Sequence, residues 1–353
     1  MIYAASNLDD LASQLLQDQN LNEQLFLKFE DYYVKLLSNS HTLIKELTHY
    51  FETFVTGPTK AGVTVKAVEM PSPRIDAHFE LKAPDPGKNK IKEEFIDLPG
   101  GRLVRKRLTR MLFLFGGDQN LAVGPCCANA NQVINFINNR FIAHKLDRGC
   151  LLGHAAAIAW HGQGLALAGF SGMGKSTLAL HLMSRGAQFV SNDRLLIDDL
   201  NSNPPTMYGV AKLPRINPGT ALNNSDLTAV MPLADRKKFE FLEGDELWQL
   251  EHKYDVFIDQ CFGPDRFQLK APMDGLVILN WERGPGRPVL IEADAARRGQ
   301  LLPAFMKTTG LFYLPEPGGA PLLTTLEQYQ ESLSRCPIYE LSGAIDFSVA
   351  ADL

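Results

Sequence analysis

One octapeptide constrains this chain more than anything else in it: Gly169-Phe170-Ser171-Gly172-Met173-Gly174-Lys175-Ser176, a full match to G-x-x-x-x-G-K-[ST]. The apolar run Leu165-Ala166-Leu167-Ala168 before it reads as a buried strand. Thr177-Leu178-Ala179-Leu180-His181-Leu182-Met183 after it reads as a helix. Glycine tolerates backbone conformations that other residues resist, so successive N–H groups can turn inward around a phosphate. The N-terminal dipole of the following helix adds to the attraction for an anion. Gly169, Ser171, Gly172, Met173, Gly174, Lys175, Ser176 and Thr177 are therefore the candidate phosphate-binding residues. In such a loop the lysine places a point charge on the β/γ-phosphates, and the Ser176 hydroxyl is the expected Mg²⁺ ligand.

The flanks narrow the reading. The helix is predicted to end at Arg185-Gly186, where glycine suits the position after a helix. A strand is expected at Gln188-Phe189-Val190, followed by Ser191-Asn192-Asp193. From about 150 to 200 the chain resembles the HPr kinase/phosphorylase superfamily, and within it the HPr-kinase-related kinases. That family carries G-x-S-G-x-G-K-S, a helix ending in Arg-Gly, and Ala-Asp-Asp at the end of the next strand. It also has a histidine before the loop, matched here by His154 in Leu152-Gly153-His154-Ala155-Ala156. Asp193 keeps the second aspartate, while Asn192 stands where the first would be. The family's metal-ligating glutamate has no counterpart in Lys212-Leu213-Pro214-Arg215-Ile216-Asn217, so Lys212, Arg215 and Asn192 become candidate substrate contacts.

The resemblance implies an α/β fold: a P-loop kinase core of the HPr kinase C-terminal-domain type, PEP carboxykinase-like, preceded by a helical plus β region. The corresponding division is residues 1–60 helical, 61–145 α+β packing on the core, and 146–353 kinase. A chain of 353 residues suits more than one domain, and a net charge of −5 argues against general nucleic-acid binding. No apolar stretch is long enough to span a bilayer, and the N-terminus lacks the pattern of a signal peptide. The five cysteines show no C-x-x-C pair and read as reduced thiols, so the expected compartment is the cytoplasm.

Along the chain, helices are predicted after the cap Ser6-Asn7, over Asn22–Leu37 with Leu25, Phe26, Phe29 and Tyr33 on one stripe, and over Thr42–Val55. Short strands follow from Gly62 to Val123, with a turn or loop at Pro84–Lys88 and a hairpin turn at Leu98-Pro99-Gly100-Gly101. One strand over Arg102–Phe115 would carry Arg102, Arg105, Lys106, Arg107 and Arg110 on a wet face. A helix is expected over Asn131–Lys145, a turn over Asp198–Pro205, and a polar insertion or lid over 223–255 with spare carboxylates Glu243, Asp245 and Glu246. Gly275–Trp281 reads as a buried strand whose end, Asn280-Trp281-Glu282-Arg283, falls where ligands lie in open α/β sheets.

The expected chemistry is transfer of the γ-phosphate of ATP, with Mg²⁺, to a hydroxyl. Asp193 is the expected base, Lys175 the charge on the phosphates, and His154 a partner of the γ-phosphate or of Asp193. The acceptor would be a serine of a small protein or peptide, or a small-molecule hydroxyl. An ATP-binding regulator without transfer and an NTPase driving assembly are the alternatives. Neither nucleic acid nor membrane is an expected partner, and a homo-oligomer accords with the family resemblance.

Overall fold

Between Tyr32 and Ser38 every second residue is fully buried, which is the period of a strand and not of a helix. The sequence stripe over 22–37 is therefore not a helix but a pair of antiparallel strands, β1 (Glu23–Phe29) and β2 (Tyr32–Ser38). Glu30, at φ 57°, turns the chain between them without a glycine. The computed structural model describes residues 2–84, 89–198, 202–242, 246–247, 250, 252–315 and 324–353. The predicted loop residues 85–88, part of the turn after Asp198, and Glu243 and Asp245 fall outside these. The chain is a mixed α/β protein in two compact units, Met1–Asp147 with Thr309–Leu322, and Arg148–Thr308 with Leu323–Leu353.

In the first unit, β1 and β2 continue into β3 (Val63–Glu69), β4 (Glu80–Leu81), β5 (Glu93–Leu98), β6 (Gly101–Lys106), β7 (Leu112–Gly116) and β8 (Gln119–Gly124). These form one sheet in the order β1-β2-β3-β8-β7-β6-β5-β4. The first 60 residues thus contribute two strands to this sheet and a third, Ile2–Ala4, outside it, as well as helices α1 (Leu8–Leu16) and α2 (His41–Tyr50). Pro99-Gly100 makes the expected hairpin turn, with Gly100 at φ 94°. The basic run is two strands and not one, because the chain reverses at Arg110, φ 58°. Its cations face the acidic strand beside it: Arg102 lies 2.6 Å from Asp97, Arg105 2.5 Å from Glu94, and Lys106 pairs with Glu93. Helix α3 (Ala130–Leu146) brings Phe136 to 5.1 Å from Phe113, ring to ring.

The second unit contains β9 (Leu151–Gly153), β10 (Ala155–Trp160), β11 (Gln163–Ala168), α4 (Lys175–Ser184), β12 (Gln188–Ser191), β13 (Leu195–Asp198), β14 (Thr206–Tyr208) and β15 (Arg215–Ile216). It continues with α5 (Pro218–Leu222), β16 (Tyr254–Asp255), β17 (Lys270–Pro272), β18 (Gly275–Leu279), β19 (Pro288–Glu292), α6 (Ala295–Leu301), α7 (Leu326–Ser332), β20 (Ile338–Gly343) and α8 (Phe347–Asp352). The main sheet runs β12-β10-β11-β18-β20-β19, beside a second sheet β9-β13-β14-β17. Alanines at 155, 157, 159, 166 and 168, all buried, join the apolar core of this unit with Ile278, Phe305 and Tyr329.

Strand direction fixes where the chemistry gathers. β10 is antiparallel to both β11 and β12, while β11 is parallel to β18. The start of β10 and the ends of β11, β12 and β18 therefore share one edge of the sheet. No helix among the described residues is long and apolar enough to cross a membrane.

Candidate functional site

The octapeptide occupies the turn from β11 into α4, in the strand–loop–helix order its sequence requires. Gly174 caps the helix in the left-handed region at φ 83°. A Cβ there would also come within 2.6 Å of the Phe347 ring, so glycine is required twice over. The indole N–H of Trp281, just past β18, donates to the Met173 carbonyl at 2.9 Å and ties the loop to the neighbouring strand end. Helix α4 ends at Arg185, with Gly186 at φ 111°, as the sequence predicts.

Lys175 is buried, and its ammonium folds back on the loop, donating to the Gly169 carbonyl at 2.6 Å and the Phe170 carbonyl at 3.2 Å. Burial pulls its pKa down to about 8, with Asp193 working against the shift and Lys307 adding to it. A phosphate arriving beside this amine would raise that pKa again.

His154 precedes β10 and Asp193 follows β12, and the shared sheet edge brings them together from 39 residues apart. Nδ1 of His154 lies 3.1 Å from Asp193 Oδ1 and 3.2 Å from the Asp193 carbonyl. Lys307 Nζ stands 3.5 Å from the same ring nitrogen. Burial by itself would raise the Asp193 carboxyl. The hydrogen bond from His154 and the charges of Lys307, His154 and Arg194 outweigh it and hold the group well below the usual carboxylate range.

Lys307 has no sequence motif. It is placed by an isolated bridge between Met306 and Gly153, by the His154 amide donating to the Phe305 carbonyl at 2.6 Å, and by the Tyr329 hydroxyl, which accepts from the Lys307 amide at 3.3 Å. Gly153 is needed for this arrangement, since a Cβ would lie 2.2 Å from the Phe305 ring.

A cavity of about 570 Å³ collects the predicted residues: His154, Ser171, Gly172, Gly174, Lys175, Ser176, Thr177, Asn192, Asp193, Lys212 and Arg215 all line it. Gly169 and Met173 lie in the same loop, outside that lining, and Met173 faces the adjoining cavity instead. Lys253 and Arg283 complete the basic wall. Arg283 belongs to the strand end singled out from sequence, whereas nothing in the sequence around Lys253 points to a site. The adjoining cavity, also about 570 Å³, shares Gly172, Gly174, Thr177 and Arg283 and is lined further by His181, Asn223 and Phe347. The rings of His181 and Phe347 stack there at 5.6 Å and 10°.

Among the described residues no group of three or more His, Cys, Asp or Glu side chains could hold a metal ion. Asn192 Oδ1 is shielded from water and has no hydrogen-bond partner among them. The five cysteines are all free thiols.

No family model matches the chain. Two curated relatives do, the HPr kinase/phosphorylases of Treponema pallidum strain Nichols and of a further strain of T. pallidum subsp. pallidum. Each is 27% identical over 148 residues, 40% of this chain and 45% of the relative. Over that stretch the chain is similar to HPr kinase/phosphorylases. It matches less than half the length of those HPr kinase/phosphorylases, so the likeness is to part of each. Among solved structures, the HPr(Ser) kinase/phosphatase from Coxiella burnetii shares 13% identity, with 55% of this chain and 85% of that one covered, at a TM-score of 0.26. A likeness that loose adds nothing to what the strands, loop and cavity of this chain already establish.

Proposed function

We propose that the second unit is a P-loop kinase, with a PEP carboxykinase-like core of the HPr kinase type, that transfers the γ-phosphate of ATP to a hydroxyl. One observation carries this reading: the glycine loop, His154 and Asp193 come from three separate strands to one sheet edge around one cavity. The phosphates belong in the loop 169–176, and the adjoining cavity between Asn223, Arg283 and Phe347 takes the nucleoside. The acceptor oxygen bonds to Pγ as the bond from Pγ to the bridging oxygen breaks. The electron pair leaves with ADP, and the hydroxyl proton passes to Asp193.

Magnesium in nucleotide sites keeps several waters and needs only one or two protein ligands besides phosphate. Ser176 would supply one such ligand, leaving Asp193 free as the base, and the orphaned Asn192 Oδ1 would accept from a bound water. When bound, the ion supplies neutralisation of the phosphate charge.

Three chains would be incubated with γ-labelled ATP, Mg²⁺ and an extract of the source cell: wild type, Asp193→Asn and Lys175→Ala. Label on a protein or metabolite with the wild type alone supports the kinase. Nucleotide binding without transfer, identical in wild type and Asp193→Asn, refutes it. That second outcome supports a nucleotide-binding regulator, a reading favoured by one observation, the carboxamide of Asn192 where a second carboxylate is expected.

A further inference from the structure

The cavity holds more positive charge than a phosphate-binding loop needs. Lys212, Arg215 and Lys253 line it without belonging to the loop. They are brought there by a two-stranded ribbon, in which β15 pairs with β16 so that Arg215 faces Asp255 and Ile216 faces Tyr254. The Val256 amide donates to the Pro214 carbonyl at 2.9 Å and extends the ribbon, leaving Lys253 at its far side and Lys212 at its root. Arg215 is partly offset, its guanidinium 3.4 Å from Asp255. Like charges held together in a half-buried cavity repel one another and cost stability, so a wall of this kind implies an anion that completes it.

We infer that the acceptor carries its own dianionic group, a phosphate monoester beside the hydroxyl to be phosphorylated, and seats it on Lys212, Lys253 and Arg215. This rests on the kinase reading given above. Asp193 lines the same cavity as Lys175 and Lys212 and acts on the charge of both. A small molecule anchored at the ribbon thus presents its hydroxyl to Asp193, with the γ-phosphate beyond. Burial and the neighbouring Arg194 both lower the pKa of Lys212, and a dianion would reverse that. A single carboxylate would leave the lysines only half compensated. A cavity of about 570 Å³ lies within the range of small-molecule sites and suits a compact acceptor.

The test is a calorimetric titration of inorganic phosphate, with acetate as the monoanion control. The chains are the wild type, Lys175→Met, and the double variant Lys212→Gln with Lys253→Gln. Phosphate should still bind when the loop lysine is lost in Lys175→Met. Its affinity should fall about tenfold or more in the double variant, the worth of one or two charge-assisted hydrogen bonds. Lys212→Arg with Lys253→Arg should restore it, and acetate should bind more weakly than phosphate throughout. The nucleotide analogue AMPPNP is titrated in parallel to keep the two readings apart. Its failure to bind wild type overturns the kinase and leaves the anion wall standing. Phosphate affinity that follows Lys175 alone, that is unchanged in the double variant, or that is absent altogether overturns the wall.

Discussion

On the kinase reading, Lys175 makes nucleotide binding a proton-linked event with a sign and a size. Its pKa is held down at about 8, against 10.5 for an ordinary lysine, chiefly because the amine is buried. Phosphates placed beside it favour the charged form, so the bound pKa is higher than the free one and binding takes up a proton. The affinity is then fully present below about 8 and declines as pH rises through that value. If the bound amine regains its ordinary pKa, affinity falls about twofold from pH 7 to 8 and about tenfold from pH 7 to 9. At pH 8 about half a proton is taken up per nucleotide.

The assay is calorimetric titration of AMPPNP at saturating Mg²⁺, repeated in buffers with different ionisation enthalpies. Working above neutral pH leaves the nucleotide phosphates fully ionised, so that the slope belongs to the protein. Lys175→Arg is the control, because a guanidinium stays charged across this range and should flatten the profile. No proton uptake at pH 8, or the same slope in Lys175→Arg, would refute the reasoning.

Other perturbations follow from the same geometry. Lys307→Gln removes a charge that depresses Lys175, so the midpoint of the pH profile should move upward, read from the same titration. Trp281→Phe deletes the donor to the Met173 carbonyl and should cost about 1 kcal/mol, or roughly fivefold in affinity for a fluorescent ATP analogue. Gly174→Ala meets both a left-handed φ of 83° and the Phe347 ring at 2.6 Å. It should cost well over about 1 kcal/mol at the loop, seen as lost nucleotide binding with an unchanged far-UV spectrum. In the first unit, Phe113→Ala empties a site packed by Phe136 and Phe312 and should cost about 3–5 kcal/mol in denaturant unfolding.

How much the sequence discloses depends on the range of the interaction. The loop, its helix and the turn at Pro99-Gly100 are local, and each is legible in a few adjacent residues. His154 and Asp193 are found through matched motif positions, and sheet direction explains why they meet. The segment 22–37 misleads because Leu25, Phe26, Phe29 and Tyr33 fall on one helical stripe, although Tyr33 lies on the less buried face of its strand. What decides it is remote: β2 lies parallel to β3, with Val34 opposite Val63, a pairing that no local propensity encodes. Lys307 and Lys253 are illegible for a related reason, since their positions come from a backbone bridge and a ribbon formed with distant segments.

Asp193 raises a difficulty that its surroundings also resolve. A carboxylate held well below its usual range is a weak base, which argues against its taking a proton from a hydroxyl. Two of the groups responsible, Lys307 and His154, are part of the same cluster as the loop lysine, and the Lys307 charge acts on Lys175 as well as on Asp193. On the kinase reading, an incoming triphosphate competes for the charge of Lys307, while its own negative charge bears on Asp193 directly. Both effects raise the proton affinity of Asp193 when the nucleotide is bound, the moment at which the acceptor must give up its proton. The cluster thus keeps Asp193 ionised while the loop is empty and loosens its hold once the phosphates arrive. Removing the cation in Lys307→Gln should therefore weaken nucleotide binding, yet reduce the turnover of the bound complex much less than Asp193→Asn does. Equal losses of turnover in the two variants would mean that Lys307 takes part in the transfer and does not merely tune its base.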